Sequence, residues 1–443
     1  MTVNSSQGQP PVVKLTFRKV AISCSCDPLS ENKIQQKTTS FLDTLIPLSQ
    51  NHSFVPPSIR RGINVSQFFR EWKSMTQRLT VASLFAAILV LAGASVAFAQ
   101  ETKYPDILDA KPMFKAGPNH MELAPSAPAT NLVQWNGSFI DLTLKRVTYT
   151  MVGTKPSLGN ASTTVPVYII PIKMVYGATN GNRTFDPKNH VLSNGKTVVN
   201  NIIASPIFNP GVNFTQGGTD LGTTQYLDAF QRGNFWKFVH TYTGYHVLLG
   251  KPVVLAERSI TVPKSLGGVF RNPFGTGVIG TYDMNAFDAK LQSYMTYFTQ
   301  INPGVLPLFV TYDIFLTSGS CCIGGYHNAN GAQPGGQTYS HATYVDSPSS
   351  FSQDVSALSH EIGEWMDDPF ADNFVHCNDN SLMEDGDPLV NNSNYGAFPY
   401  SLGGFTYHLQ SLVFIDYFGA PKATSVHGWY SFQHDMSHVC TGQ

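Results

Sequence analysis

The sequence predicts a mixed α+β fold whose N-terminal half is β-rich. Three observations carry that expectation. Runs alternating apolar and polar residues recur through the first half, and period two is the signature of half-buried strands. The two longest helical periodicities fall in the 283–443 region. Charged residues make up 13% of the chain and aromatics 12%, a balance that suits a strand-rich exported protein with polar loops better than a helical cytosolic enzyme. The formal net charge of −1 gives no electrostatic case for nucleic acid or an anionic membrane as partner.

The first elements in chain order concern export. Residues 79–99 read LTVASLFAAILVLAGASVAFA, with Lys73 and Arg78 before the run and Ala97-Phe98-Ala99 at its end. A positive flank, an apolar stretch and small residues at the cleavage positions describe a secretory signal starting at Met75 and cut after Ala99. A retained anchor is the alternative, because the run is long enough to span a bilayer. Arg60-Arg61 lies too far upstream for a twin-arginine signal. Residues 1–74 lack apolar periodicity and read as a disordered extension or a mis-assigned start. Cleavage would leave no stable membrane association. It would also leave Cys321, Cys322, Cys377 and Cys440, an even number suited to two disulfides. Neighbours rarely bond each other, so Cys321 and Cys322 are each expected to reach Cys377 or Cys440.

Residues 100–135 are polar and Pro-rich, a linker. The 136–282 region is β-rich. Within it 139–152 reads as one alternating strand, 165–176 as a strand whose prolines argue for an edge or bulge, and 227–239 as a short helix. The 283–443 region is mixed. At 286–300, Phe287, Leu291, Met295 and Phe298 make one helix face, ended by Pro303-Gly304. Residues 306–316 read as a buried strand and 339–346 as another. A helix over 350–368 follows, with Ser350 and Gln353 as a capping box and an apolar stripe of Val355, Leu358, Ile362 and Trp365.

That last helix carries His360-Glu361-Ile362-Gly363-Glu364. His360 and Glu364 are four apart and project from one face, so both can reach one ion. Zinc takes imidazole and carboxylate alike. The residue after the first ligand, Glu361, is the general base in an HExxH arrangement. Here the motif is HExxE, and the extra carboxylate should weaken the Lewis acidity of the metal. Asp368 lies one turn further, as a ligand or an outer partner. In Met383-Glu384-Asp385-Gly386-Asp387, Glu384 is the favoured third ligand and Asp387 is placed to orient His360. A metzincin arrangement fails, because Phe370 stands where its third ligand belongs. Calcium is the alternative ion for the Asp/Asn-rich 367–387 stretch. His327 and His341 read as structural histidines. Tyr407, His408, His427 and Tyr430 are candidate oxyanion donors.

The segments FLTSGSCCIGGYHN (315–328), SHEIGEWMDDP (359–369) and EDGD (384–387) together resemble the phosphate-induced, EXORDIUM-type secreted proteins and their bacterial exported relatives. The likeness covers about a third of the chain. It implies an extracellular, cell-wall-associated protein with a zincin-like core. The chain lacks the cysteine that this family has just after Glu-x-x-Asp. The resulting expectation is a secreted Zn2+ protein, a metal-dependent hydrolase of peptidase type acting on a peptide or cell-wall polymer. The alternative is a non-catalytic binding protein on the same scaffold.

Overall fold

The computed structural model describes residues 104–115, 117–118, 131–331, 333–346, 351–376, 382–390 and 398–434, all within one compact unit, Ala86–Gln443. The proposed signal, its cleavage site, Cys377 and Cys440 lie outside the described residues. No helix among the described residues is long and apolar enough to cross a membrane.

The elements that position the site are β1 (Gln134–Ile140), β2 (Arg146–Val152), β3 (Val167–Tyr176), α1 (Tyr226–Asn234), β4 (Val253–Val254), β5 (Arg258–Val262), β6 (Val278–Asp283), α2 (Met284–Tyr297), β7 (Leu306–Tyr312), β8 (Ile314–Ser318), β9 (Ser320–Ile323), β10 (Gly325–Asn330), β11 (Gln337–Tyr344) and α3 (Ser356–Asp367). The fold is mixed α+β and β-rich, as the sequence predicts. Its main sheet runs β5-β3-β7-β11-β10, and a second sheet joins Val269–Arg271 to β6, β8 and β9. Strands from 136–282 and from 283–443 therefore share one sheet. The line at 282 marks a change of text and does not separate layers.

Several elements differ from the linear reading. The 139–152 run is a hairpin of β1 and β2. Asp141 Oδ1 accepts the N–H groups of Thr143 and Lys145 and closes a turn inside the alternation. The 165–176 run holds a central strand. β3 pairs β7 in parallel up to Pro171, and on its other side the partner changes from β4 at 168–169 to β5 at 172–176. Pro171 sits at that exchange, where a missing N–H interrupts no continuous ladder. The 227–239 run is two helices, α1 and Trp236–Val239. In α2, Asp283 caps the N-terminus by accepting the Ala286 N–H, and Phe287, Leu291, Met295 and Phe298 are buried as predicted.

The 306–316 run splits at Asp313 (φ +50°) into β7 in the main sheet and β8 in the second. The Asp313 N–H donates to the Tyr344 carbonyl and its own carbonyl accepts the Gly280 N–H, so this residue stitches the two sheets. Burial pushes its carboxyl up to about 7. A carboxyl raised in the folded state contributes stability below about pH 4 that is lost as pH rises through 7, on the order of 4 kcal/mol. Asp313→Asn keeps the left-handed backbone and an acceptor for the Asp346 N–H. The expected outcome is a higher urea midpoint at pH 8 and a flatter stability profile between pH 4 and 7.

Cys321 and Cys322 are bonded to each other, which corrects the expected long-range pairings. Thr317 opposes Cys321 while Leu316 opposes Ile323, so Cys322 is an extra residue in β9. The face alternation that would separate the two side chains is broken there. The linker reading of 100–135 also changes: Lys111 and Met113 exchange backbone hydrogen bonds with Cys321, Cys322 and Gly324, laying a strap along β9. α3 begins at Ser356 after Val355, with no side-chain cap. Ser350 lies outside the described residues, and Gln353 instead donates its N–H to Ser356 Oγ.

Candidate metal centre

Every residue of α3 is buried. Its apolar stripe of Leu358, Ile362 and Trp365 packs inward, with Trp365 Nε1 donating to Thr338 Oγ1 on β11. Its polar face is buried too, and this is the unusual feature. That face presents His360, Glu361 and Glu364 to His327 on β10 and to the 384–387 loop. Three glycines allow the close approach. A Cβ at Gly325 would lie 2.6 Å from Glu361 Cγ, one at Gly363 would strike Leu412, and one at Gly386 would strike the His360 ring.

His327 Nδ1 lies 3.7 Å from Glu361 Oε2 and 3.8 Å from Oε2 of both Glu364 and Glu384. Its Nε2 is 2.9 Å from the Asp368 carbonyl. A carbonyl only accepts, so Nε2 carries the hydrogen. Burial pushes the imidazole down to about 4, so it is neutral at pH 7. Nδ1 is then a bare lone pair facing three carboxylates. His360 is likewise pushed down to about 4 by burial. Its ring stacks on Phe114 of the strap at 3.6 Å, and its Nε2 lies 3.0 Å from Glu364 Oε1 and 3.7 Å from Asp387 Oδ1.

The described ion-pair partners of Glu361, Glu364 and Glu384 are histidines alone. Burial first, then neighbouring carboxylates, pushes all three acids far above the usual carboxylate range. Both oxygens of Glu361 and Oε1 of Glu384 lack a hydrogen-bond partner. Buried anions need a compensating charge. Acceptors facing acceptors need an electrophile between them, either protons or a cation. The donor set of imidazole nitrogen and carboxylate oxygen fits zinc, and the carboxylate excess also fits harder ions.

The ligating atoms fall into two sets, each within 4.8 Å: His327, Glu364 and Glu384, and His360, Glu364 and Asp387. Of the three sequence-predicted ligands, Glu364 joins both sets, Glu384 belongs with His327, and His360 belongs with Asp387. His327, read as a structural histidine, is carried by β10 to within 4 Å of Glu361, Glu364 and Glu384. His341 places Nε2 on Thr311 Oγ1, while its Nδ1 is buried without a hydrogen-bond partner. Asp368 ties off the helix, its carboxylate accepting the N–H groups of Asp372 and Asn373. Tyr407, His408 and His427 engage Asn201, Asp354 and Thr219, and Lys422 lies over the Tyr430 ring.

No family model matches the chain, and neither a curated protein nor a solved structure matches it.

Proposed function

We propose that this chain is a secreted zinc-binding protein whose buried centre is a metal-dependent hydrolase of peptidase type. The observation that carries the reading is the bare His327 Nδ1 turned toward three buried carboxylates. His327, His360, Glu364, Glu384 and Asp387 are the residues that would hold metal. Zinc, when bound, supplies Lewis acidity toward a substrate carbonyl. Glu361 lies beside the ligands without a hydrogen-bond partner and, once a bound cation keeps it ionised, would take the proton of an attacking water. Asp387, whose side chain is 25% exposed, marks the open side of the centre. Export is supported by the 79–99 run, and an extracellular, wall-associated setting by the EXORDIUM-type resemblance. Glu361→Gln is expected to lower hydrolysis of a peptide library at least ~100-fold while zinc content is unchanged. Undiminished turnover would end the reading.

A second reading keeps the scaffold without catalysis. Its supporting observation is closure: His327, Glu361, Glu364 and Glu384 are all under 5% exposed, and structural sites are closed where catalytic ones keep an open position. A cleft of about 560 Å³ lined by Tyr149, Thr150, Lys155, Gln333, Asp372 and Asn373 would then take a polar ligand such as a sugar. Glycan binding that persists after metal is stripped would favour this reading.

A further inference from the structure

We propose that the centre holds two divalent cations bridged by Glu364, one bound by His327 and Glu384 and the other by His360 and Asp387. This rests on the metal-binding reading above and goes beyond its single ion. Three observations carry it.

The first is that the two oxygens of Glu364 serve different histidines. Oε1 lies 3.0 Å from His360 Nε2, and Oε2 lies 3.8 Å from His327 Nδ1. One carboxylate spanning two nitrogen ligands is the arrangement of a bridge, and two-metal sites hold their ions about 3.5–4 Å apart. The second is that each half is a complete set. The atoms of His327, Glu364 and Glu384 are mutually within 4.8 Å, as are those of His360, Glu364 and Asp387. His360 is fully buried, with neither ring nitrogen in an aligned hydrogen bond.

The third is charge. Glu361, Glu364, Glu384, Asp385 and Asp387 together carry five negative charges when ionised, and both Asp385 oxygens are buried without a hydrogen-bond partner. A single divalent ion would leave three of these charges uncompensated, whereas two ions leave one.

The halves also differ in access. The His327 half is sealed under β10, and the His360 half borders the partly exposed Asp387. The first ion is therefore the slowly exchanging one that positions Glu364, and the second is the one substrate can approach.

The test is metal stoichiometry on the full exported chain dialysed against Zn2+, beside His360→Ala, His327→Ala and Glu364→Ala. Two zinc per chain in wild type, one in each histidine variant and a loss of both in Glu364→Ala is the expected result. Loading with Mn2+ and recording its paramagnetic resonance should give an exchange-coupled signal, which only neighbouring ions produce. One zinc per wild-type chain overturns the bridge and leaves the hydrolase reading standing. No zinc overturns both. Two zinc with uncoupled manganese places the second ion elsewhere and overturns the bridge. If a variant fails to fold by circular dichroism, wild-type stoichiometry and coupling still decide.

Discussion

Stripping metal from the protein at pH 8 is expected to lower its melting temperature by roughly 10 °C, and the loss should shrink as pH falls toward 5. Occupancy at a thousandfold excess over Kd contributes about 4 kcal/mol, and each kcal/mol moves the melting point by roughly 2–4 °C in a domain of this kind. The pH dependence has its own sign. In the metal-free state Glu361, Glu364 and Glu384 are raised above their ordinary pKa by burial and by one another. The folded chain then binds protons that the unfolded chain has released. That contribution is complete below about pH 4.5 and is lost as pH rises through the raised values. In the loaded state cations take the place of the protons, and acid competes with them. The gap between loaded and stripped protein therefore widens from pH 5 to 8. Thermal scans with and without chelator at both pH values check this. Equal melting points at pH 8 would mean that protons alone neutralise the cluster.

Gly386→Ala is expected to lower zinc affinity ten- to hundredfold and stability by about 1–3 kcal/mol. Gly386 has φ −89° and ψ −32°, which alanine adopts freely. The conflict is with one group, since the added Cβ falls on the His360 ring. That ring cannot retreat easily, because Phe114 stacks on its face. Either His360 leaves Glu364 or the loop carrying Glu384 and Asp387 lifts, and both outcomes open the ligand set. Gly177→Ala, in open space at φ −68°, serves as the control. Competition titration with a zinc chromophore reads the affinity, and an unchanged value would place His360 and the loop outside the ion-binding geometry.

The α3 motif was legible because helical spacing is local. His360 and Glu364 meet at 3.0 Å by being four residues apart. Glu384 and Asp387 were legible as a dense acidic loop, but which histidine each would join was not. That His327 lies against these acids was not legible, for a physical reason. A histidine after Gly-Gly-Tyr in a Cys-rich loop gives no sign of which strand face it occupies. That face follows from the register of β10 on β11, where His327 opposes Ser340, and a one-residue slip would turn the ring away. Gly325 carried a usable signal, being the small residue that lets β10 lie against Glu361.

Strand positions show the same division. The 139–152 alternation continued through a turn because apolar leucines happened to keep the period, while the Asp141 side chain folded the chain back. The Leu306–Tyr312 strand and its continuation past Asp313 read as one apolar run because both halves are buried, though in different sheets. Adjacency in sequence argued against a Cys321–Cys322 bond, and a register shift in β9 permitted it.

By itself the sequence determined the mixed, β-rich fold class, the helix that carries His360, Glu361 and Glu364, and the apolar faces of α2 and α3. These depend on local periodicity, which needs no partner. Only the tertiary structure decided that β3 is central, that His327 faces the acids, and that Glu364 stands between two histidines. Each of those depends on strand register and loop approach across long sequence separations, where the packing of the whole core selects one arrangement from many that the local pattern permits.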